Sequence, residues 1–326
     1  MKKPKKDLKK GGESVTVYEY GRDKIPQGAR SVALGFFDGM HLAHRELISL
    51  AVNEARREGL TPTVFTFSSE ERGAKRGAPR LSTTEEKLRV METLGVREVV
   101  VATLARVGGV SAFDFVKSIL VGELSCAVGV VGYNFRFGRG AEGDSELFCR
   151  YMKECGARAT VMEEKRLGTS PLSATALREA LALGDTERAR AIIGEPFSVF
   201  GRIERGLGLG KGFGFPTVNL SLPSGSPLRT GVYRSCVRIG DSLYHGVTNV
   251  GVCPSVDELR EIHAETFIIG FSGELYGENI RVYLLGYLRE EKKFERIEEL
   301  SRQIASDAER ALLENGTDLW AEIGRN

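Results

Sequence analysis

The sequence predicts an α/β protein of two domains, an N-terminal doubly wound parallel sheet followed by a C-terminal antiparallel β-barrel with a terminal helix. The chain has 326 residues, which is more than a single core usually organises. Its first half alternates short apolar runs with amphipathic helical stretches, whereas its second half has short runs separated by glycine-rich turns. We place the domains at residues 13–190 and 196–316.

The first half reads as strands and helices in alternation. Its predicted buried strands are Ser31–Phe37, Thr63–Phe67, Glu98–Thr103, Ala127–Val131 and Ala159–Met162. Between the first two strands, apolar residues recur at spacings of three and four from Leu47 to Ala55, which indicates a helix with one buried face. The run Ser82–Glu85 has the pattern of a capping box, and the helix that it opens is expected to stop at Gly95. Ligands of such sheets bind beyond the carboxyl ends of the strands.

The second half has the strand spacing of a small antiparallel barrel. Its predicted strands are Phe197–Ile203, Val232–Ile239, Leu243–Val250, Ala264–Ile269 and Ile280–Leu288. A last helix has Leu300, Ile304, Ala308 and Leu312 on one face and is expected to end at Gly316.

Composition and charge exclude several classes of protein. No apolar run approaches the ~18 residues that a membrane span requires, and no secretion signal opens the chain, so we expect a cytoplasmic protein without membrane association. The net charge of the chain is +2. The first ten residues carry a charge of +5, so the remaining 316 residues sum to −3, which gives no electrostatic case for nucleic-acid binding. Five cysteines form no CxxC pair, which argues against structural zinc or a disulfide framework. We expect a monomer or weak homo-oligomer whose partners are small molecules.

Two histidines three residues apart follow the first predicted strand, in the segment Ala33-Leu-Gly-Phe-Phe-Asp-Gly-Met-His-Leu-Ala-His-Arg45. On a helix this spacing puts the imidazoles of His41 and His44 on one face. At a helix N-terminus they join free backbone amides and the positive end of the dipole, where phosphate binds well. Adenylyl transfer needs this kind of charge stabilisation and no covalent nucleophile. The alternative is a pair of surface or capping histidines.

Two further segments carry groups suited to a nucleotide. Val131-Gly-Tyr-Asn-Phe-Arg-Phe-Gly138 combines an amide, a base and aromatic rings after a strand, although it also fits an aromatic loop packed on the core. Leu172-Ser-Ala-Thr-Ala-Leu-Arg178 offers two hydroxyls and a guanidinium at the mouth of a helix, which are good donors to phosphate. Its alternative interpretation is an ordinary N-cap followed by a solvent-facing arginine.

The second half contains the glycine-rich segment Gly201-Arg-Ile-Glu-Arg-Gly-Leu-Gly-Leu-Gly-Lys-Gly-Phe-Gly-Phe-Pro-Thr-Val-Asn-Leu220. Its glycines allow close approach of the backbone to phosphates, and it lacks the P-loop pattern. Thr217 and Asn219 are two apart, so in an extended segment both oxygens face one side, where they can share Mg²⁺ with ATP phosphates. The alternative is a flexible loop followed by a proline turn.

Taken in order, the first-half segments resemble the adenylyltransferase module of bacterial bifunctional riboflavin kinase/FAD synthetases, members of the nucleotidyltransferase superfamily. The resemblance implies that His41 and His44 stabilise the ATP phosphates in the transition state and that Asn134 contacts phosphate or nucleotide. It implies a clamp on the departing pyrophosphate made by Ser173, Thr175 and Arg178. It also implies nucleotide contacts from the turn that follows the first strand, at Gly35, Phe36, Phe37 and Asp38.

The second half resembles the riboflavin kinase signature in Gly214-Phe-Pro-Thr-Val-Asn219, Gly231-Val-Tyr233, Asn249-Val-Gly251 and the run 264–277. The resemblance implies that Thr217 and Asn219 hold Mg²⁺. It implies that Glu265 is the general base that takes the proton of the ribityl 5′-hydroxyl. The implied ATP contacts in the glycine-rich segment are Gly208, Gly210, Lys211, Gly214 and Pro216.

Together the motifs imply two reactions: riboflavin is phosphorylated to FMN in the second domain, and FMN is adenylylated to FAD in the first, with MgATP serving both. The alternative is a monofunctional riboflavin kinase with a degenerate first domain. It is motivated by Ala174 and by Ser68-Ser69, where the family has a further serine and a Pro-His-Pro turn. A third hypothesis, a non-catalytic flavin-sensing or RNA-contacting regulator, rests only on the lysine-rich start of the chain.

Overall fold

The computed structural model describes residues 15–68, 79–204, 217–222, 225–253, 261–313, 321 and 323. The chain divides into two compact units. The first comprises Met1–Ala78 and Ser82–Leu172, and the second comprises Pro79–Leu81 and Ser173–Asn326. The exact domain limits at 13–190 and 196–316 stay a prediction.

The first unit contains a parallel sheet of six strands with helices between them. Its elements are β1 Thr16–Glu19, β2 Arg30–Leu34, α1 Leu42–Glu58, β3 Thr61–Phe67, α2 Thr84–Thr93, β4 Glu98–Ala102, α3 Leu104–Val107, α4 Ala112–Asp114, a π-helix Phe115–Glu123, β5 Cys126–Gly132, a 3₁₀ turn Arg139–Ala141, α5 Ser145–Glu154, β6 Arg158–Met162, β7 Arg166–Leu167 and β8 Ser170–Pro171. The strand order is β1-β4-β3-β2-β5-β6, and every pairing in this sheet is parallel. The predicted parallel α/β architecture is confirmed.

The sheet is covered on both faces, as parallel strands require. All five residues of β2 are buried. One cluster of core side chains includes Ile48 and Val52 of α1 with Met91 of α2. A second cluster includes Leu120 of the π-helix and Phe148 of α5. The two clusters cover the two faces of the central strands. Because the strands are parallel, their carboxyl ends all lie at one edge of the sheet.

The second unit contains an antiparallel sheet of six strands. Its elements are α6 Ala174–Leu183, α7 Thr186–Ile193, β9 Ser198–Arg202, β10 Thr217–Ser221, β11 Gly231–Ile239, β12 Ser242–Cys253, β13 Glu261–Ile268, β14 Asn279–Arg289 and α8 Ile297–Leu313. The strand order is β10-β13-β12-β11-β14-β9. An isolated bridge, in which the Glu204 amide donates to the Asn219 carbonyl at 3.0 Å, brings the two edges together. The sheet is therefore close to a closed barrel, as predicted.

Helix α8 lies against one face of this sheet. Ala308 and Ala311 of the helix pack on Val232 of β11 and Val247 of β12. The predicted final helix is confirmed through Leu313, and its expected stop at Gly316 lies outside the described residues. Within the part of the chain that the structure describes, no helix combines the length and the apolar character needed to cross a bilayer.

Candidate active sites

The turn from Gly35 to Met40 connects β2 to α1 in the first unit. The Gly35 amide still donates to the carbonyl of Phe65 on β3 at 3.2 Å. Three residues of the turn then have left-handed φ angles, Phe37 at 51°, Gly39 at 77° and Met40 at 39°. Such angles are costly for residues other than glycine, so the surrounding contacts must hold this turn in place. It ends at His41, the N-cap of α1.

His41 and His44 stack on each other at the start of α1. Their ring centroids are 3.6 Å apart with an interplanar angle of 22°. Phe37, which is only 1% exposed, packs edge-on against His44 at 5.3 Å, and its contact with nucleotide stays a prediction. Within the described part of the chain, the Nδ1 atoms of both imidazoles are buried and have no hydrogen-bond partner. The spacing of three therefore does place both rings on one face at the helix N-terminus.

Burial keeps both imidazoles neutral. It lowers the pKa of His41 from 6.5 to about 4. Burial, with smaller contributions from His41 and Lys87, lowers the pKa of His44 well below 6.5, although part of that residue is exposed. A neutral imidazole has one N–H donor and one acceptor. At neutral pH the pair can thus donate hydrogen bonds to phosphate oxygens without carrying positive charge itself.

The N-terminus of α2 anchors the same turn. The Ser82 hydroxyl accepts from the Gly39 amide at 3.0 Å, and its amide donates to Asp38 Oδ1 at 3.2 Å. The capping box of α2 therefore begins one residue later than the sequence pattern indicated. Thr83 is the N-cap and Glu86 is its partner. Ser82 is not available as a cap because its hydroxyl is hydrogen-bonded to the turn.

Two aromatic rings lie at the carboxyl ends of neighbouring strands. Phe36, just beyond β2, stacks on Phe67, the last residue of β3, with ring centroids 4.4 Å apart. Asn134 lies in the turn that follows β5 and is exposed. β2, β3 and β5 are adjacent and parallel, so these residues emerge at one edge of the sheet. That edge is where doubly wound sheets bind ligands.

The residues predicted to clamp pyrophosphate lie at the start of α6, in the second compact unit. Ser173 is the N-cap, and its hydroxyl accepts from the Ala176 amide at 3.1 Å. Thr175 is exposed in the first turn. Arg178 donates from Nε to the carbonyl of Pro79 at 2.7 Å, so it is not a simple solvent-facing arginine. Their contact with phosphate stays a prediction.

In the second unit, Thr217, Asn219 and Glu265 lie together on adjacent strands. Asn219 of β10 is directly opposite Glu265 of β13 in register. The Thr217 hydroxyl donates to Glu265 Oε1 at 2.7 Å. Thr217 and Asn219 are partly exposed, whereas the intervening Val218 is buried, so both oxygens face the same side. These hard oxygens are the donors that Mg²⁺ prefers.

A cavity of about 180 Å³ adjoins this cluster, between the sheet and α8. Thr217 and Glu265 lie on its wall. Its other lining side chains are mainly apolar on β11, β12, β13 and α8 and mainly charged at the end of β14 and just after it: Val232, Val247, Asn249, Phe267, Arg289, Glu291, Lys292, Phe294, Leu300, Ile304 and Asp307. An apolar wall beside polar groups is suited to a ligand with a planar ring and a hydroxylated chain.

Two contacts that the sequence did not predict shape this cavity. The Arg289 guanidinium donates to both oxygens of Asp307, with distances from 2.6 to 3.1 Å, and Asp307 is 1% exposed. The Asn249 amide donates to Glu291 Oε1 at 3.1 Å. Each pair joins residues that are distant in sequence, so only strand register and helix packing bring them together. The predicted ATP contacts Gly208, Gly210, Lys211, Gly214 and Pro216 lie outside the described residues.

Comparisons with known proteins agree with this arrangement. A family model described as FAD synthetase matches residues 24–176, and one described as Riboflavin kinase matches residues 193–313. A solved structure titled as a macrolide-efflux protein from Streptococcus pneumoniae covers 92% of this chain and 99% of its own, with a TM-score of 0.77 and 25% identity. This similarity extends the shared fold over nearly the whole chain.

Curated relatives match over similar lengths. The Escherichia coli K12 protein named bifunctional riboflavin kinase/FMN adenylyltransferase is 35% identical over 87% of this chain and 92% of its own. Proteins of the same name from Bacillus subtilis and Haemophilus influenzae are 31% and 30% identical, over 89% and 90% of this chain and 93% and 96% of their own. With both family models matched in order along one polypeptide, the chain belongs to the bifunctional riboflavin kinase/FMN adenylyltransferase family.

Proposed function

We propose that this chain phosphorylates riboflavin to FMN and adenylylates FMN to FAD, using a separate site for each reaction. The observation that carries the proposal is the presence of both family models on one chain, each over a distinct polar cluster. The match to the FAD synthetase model favours this function over a monofunctional riboflavin kinase. The proposed partners are ATP, riboflavin and FMN, and the proposed setting is the cytoplasm, with the chain acting as a monomer or weak homo-oligomer.

In adenylyl transfer, a phosphate oxygen of FMN attacks the α-phosphorus of ATP and pyrophosphate leaves. Negative charge grows on the transferring group, so donors fixed in advance lower the barrier. The neutral imidazoles of His41 and His44 and the free amides of α1 are the proposed donors. The phosphate contacts implied for Asn134 and for the start of α6 belong to the same proposal.

In riboflavin phosphorylation, the ribityl 5′-hydroxyl attacks the γ-phosphorus of ATP and ADP leaves. Glu265 is the proposed base that takes the hydroxyl proton as the new O–P bond forms. The hydrogen bond from Thr217 orients this carboxylate. Magnesium bound with ATP would be held by the oxygens of Thr217 and Asn219 and would offset negative charge on the phosphates.

The flavin ring is proposed to enter the cavity beside Glu265. Val232, Val247 and Phe267 offer it an apolar wall. Asn249 and Glu291 offer polar groups near the same opening. This placement would direct the ribityl chain toward the carboxylate.

The direct test is a product assay with purified protein. Riboflavin and MgATP are supplied, and flavins are separated by chromatography over time. FMN should appear first, followed by FAD. If FMN accumulates while FMN and ATP supplied in excess yield no FAD, the monofunctional alternative is correct, and the absence of both products would rule out the proposal.

A further inference from the structure

Lys87 is a buried charged side chain to which the proposed reactions assign no function. It lies on α2 and is 4% exposed. Its Nζ donates to the carbonyl oxygens of Phe36 at 3.1 Å and Phe67 at 3.2 Å. Burying an ammonium group is costly, and an apolar side chain would fill this position without that cost. The charge itself therefore calls for an explanation.

The two carbonyls mark the carboxyl ends of adjacent strands. Phe67 is the last residue of β3, and Phe36 lies two residues beyond the end of β2. One ammonium group thus joins the ends of both strands at the ligand-binding edge. Five residues earlier, Ser82 contacts Asp38 and Gly39 in the same turn. The Ser82–Lys87 segment therefore anchors this turn at three of its residues.

The orientation of the histidine pair depends on this turn. Phe37 and Met40 have left-handed backbone angles, which persist only where neighbouring contacts enforce them. His41 follows directly as the N-cap of α1, and its side chain makes no capping hydrogen bond. A displaced turn would consequently displace the stacked rings of His41 and His44.

We propose that Lys87 is a positioning residue for adenylyl transfer, which fixes the turn before the histidine pair through its ammonium group. The inference rests on the proposed function of His41 and His44. The Lys87 charge also contributes to lowering the pKa of His44, after burial and His41. The ammonium group is thus within electrostatic range of the ring, in addition to being hydrogen-bonded to the turn.

The first test replaces Lys87 with methionine and measures both reactions of the full chain. The wild-type protein must form FAD, since otherwise the proposed function fails and not this inference. Lys87→Met should lower kcat for FMN adenylylation on the order of tenfold or more, because small displacements of catalytic groups are costly. Riboflavin phosphorylation should be unchanged. Lys153→Met, which removes an exposed lysine on α5, is the matched control and should retain both activities.

The second test separates positioning by a charge from simple loss of stability. The chain has four histidines, so the His44 ring signal can be assigned by NMR with a His44→Gln variant. Lys87→Met should raise the His44 titration midpoint, as expected for loss of a nearby positive charge. Ser82→Ala loosens the same turn without changing charge and should raise the midpoint less than Lys87→Met does.

Lys87→Gln covers the case in which the methionine variant does not fold, because its amide can still donate to carbonyl oxygens. It should fold, lower adenylylation and raise the His44 midpoint. Full adenylylation activity in a folded Lys87→Met or Lys87→Gln protein would overturn the proposal. A loss of activity with the His44 midpoint unmoved would also overturn it, since Lys87 would then be only structural.

Discussion

The two candidate sites use opposite electrostatic designs. In the first unit, a stacked pair of neutral imidazoles lies at a helix N-terminus, and within the described residues their buried Nδ1 atoms have no hydrogen-bond partner. In the second, a carboxylate is already hydrogen-bonded by Thr217, beside a cavity bordered by the Arg289–Asp307 ion pair. In the first site, the neutral state of His41 and His44 thus depends on the exclusion of water from their imidazoles. The second depends on strand register and on charges that compensate each other.

The largest expected effect separates the two sites by function. Glu265→Gln removes the proposed base and should lower riboflavin phosphorylation by about 10²–10⁴-fold, the usual contribution of a general base. Conversion of supplied FMN to FAD should continue at the wild-type rate. His44→Gln should do the reverse. Both rates are measured by chromatography of the same preparations, and loss of both activities in either folded variant would argue for one shared site.

The second effect concerns the stability of the second unit. Asp307→Ala leaves the Arg289 guanidinium without its buried carboxylate, and breaking such a pair costs about 3–5 kcal/mol. Calorimetry should show a lower unfolding temperature for the transition that ADP and riboflavin stabilise in the wild type. Glu309→Ala, an exposed change on the same helix, is the control. An unchanged transition in Asp307→Ala would mean that this pair is not a stabilising contact.

The third effect is a loss of stability of the first unit in acid. The pKa of His41 is about 4 in the folded chain, against 6.5 for an unperturbed histidine. Above pH 6.5 this imidazole is neutral in both the folded and the unfolded chain, so its burial causes no pH-dependent loss of stability there. As the pH falls from 6.5 to about 4, the unfolded chain binds a proton that the folded chain does not. The loss for His41 alone is about 3 kcal/mol.

Urea unfolding of the first unit between pH 4.5 and 7.5 would measure this loss. His41→Gln should reduce the pH dependence to the part that His44 contributes, whereas His263→Gln, a change in the second unit, should leave it as in the wild type. A wild-type first unit equally stable at both pH limits would show that the imidazoles remain hydrated.

Local patterns predicted most of what depends on neighbouring residues. The spacing of His41 and His44 predicted that both rings lie on one face of the helix. The two-residue spacing of Thr217 and Asn219 predicted that both side chains lie on one face of the strand. The burial that makes the histidines neutral could not be read from that spacing. It comes from residues such as Phe37 that pack on the rings only in the folded unit, where Lys87 of α2 adds its charge.

Contacts between distant residues escaped prediction for a physical reason. Asn249 and Glu291 meet through the register of β12 and the loop that follows β14. Arg289 and Asp307 meet only because α8 packs back on the sheet. Periodicity identifies such elements but does not specify which side chains will face each other. The short edge strand β1 was missed as well, because Thr16–Glu19 has too few apolar residues to signal a strand.

The smallest expected effect distinguishes the two neighbouring hydroxyls at the start of α2. Thr83→Ala removes the N-cap, whose hydroxyl accepts from the Glu86 amide at 3.2 Å, and should destabilise the first unit by about 1 kcal/mol. Ser82→Ala leaves that cap intact but frees the Gly39 amide, so its main effect should be on the adenylylation rate. Riboflavin phosphorylation should be normal in both variants. The opposite result, a loss of helix stability in Ser82→Ala but not in Thr83→Ala, would place the N-cap at Ser82, as the sequence pattern first indicated. The Ser82 hydroxyl would then cap α2 and would not anchor the turn before His41.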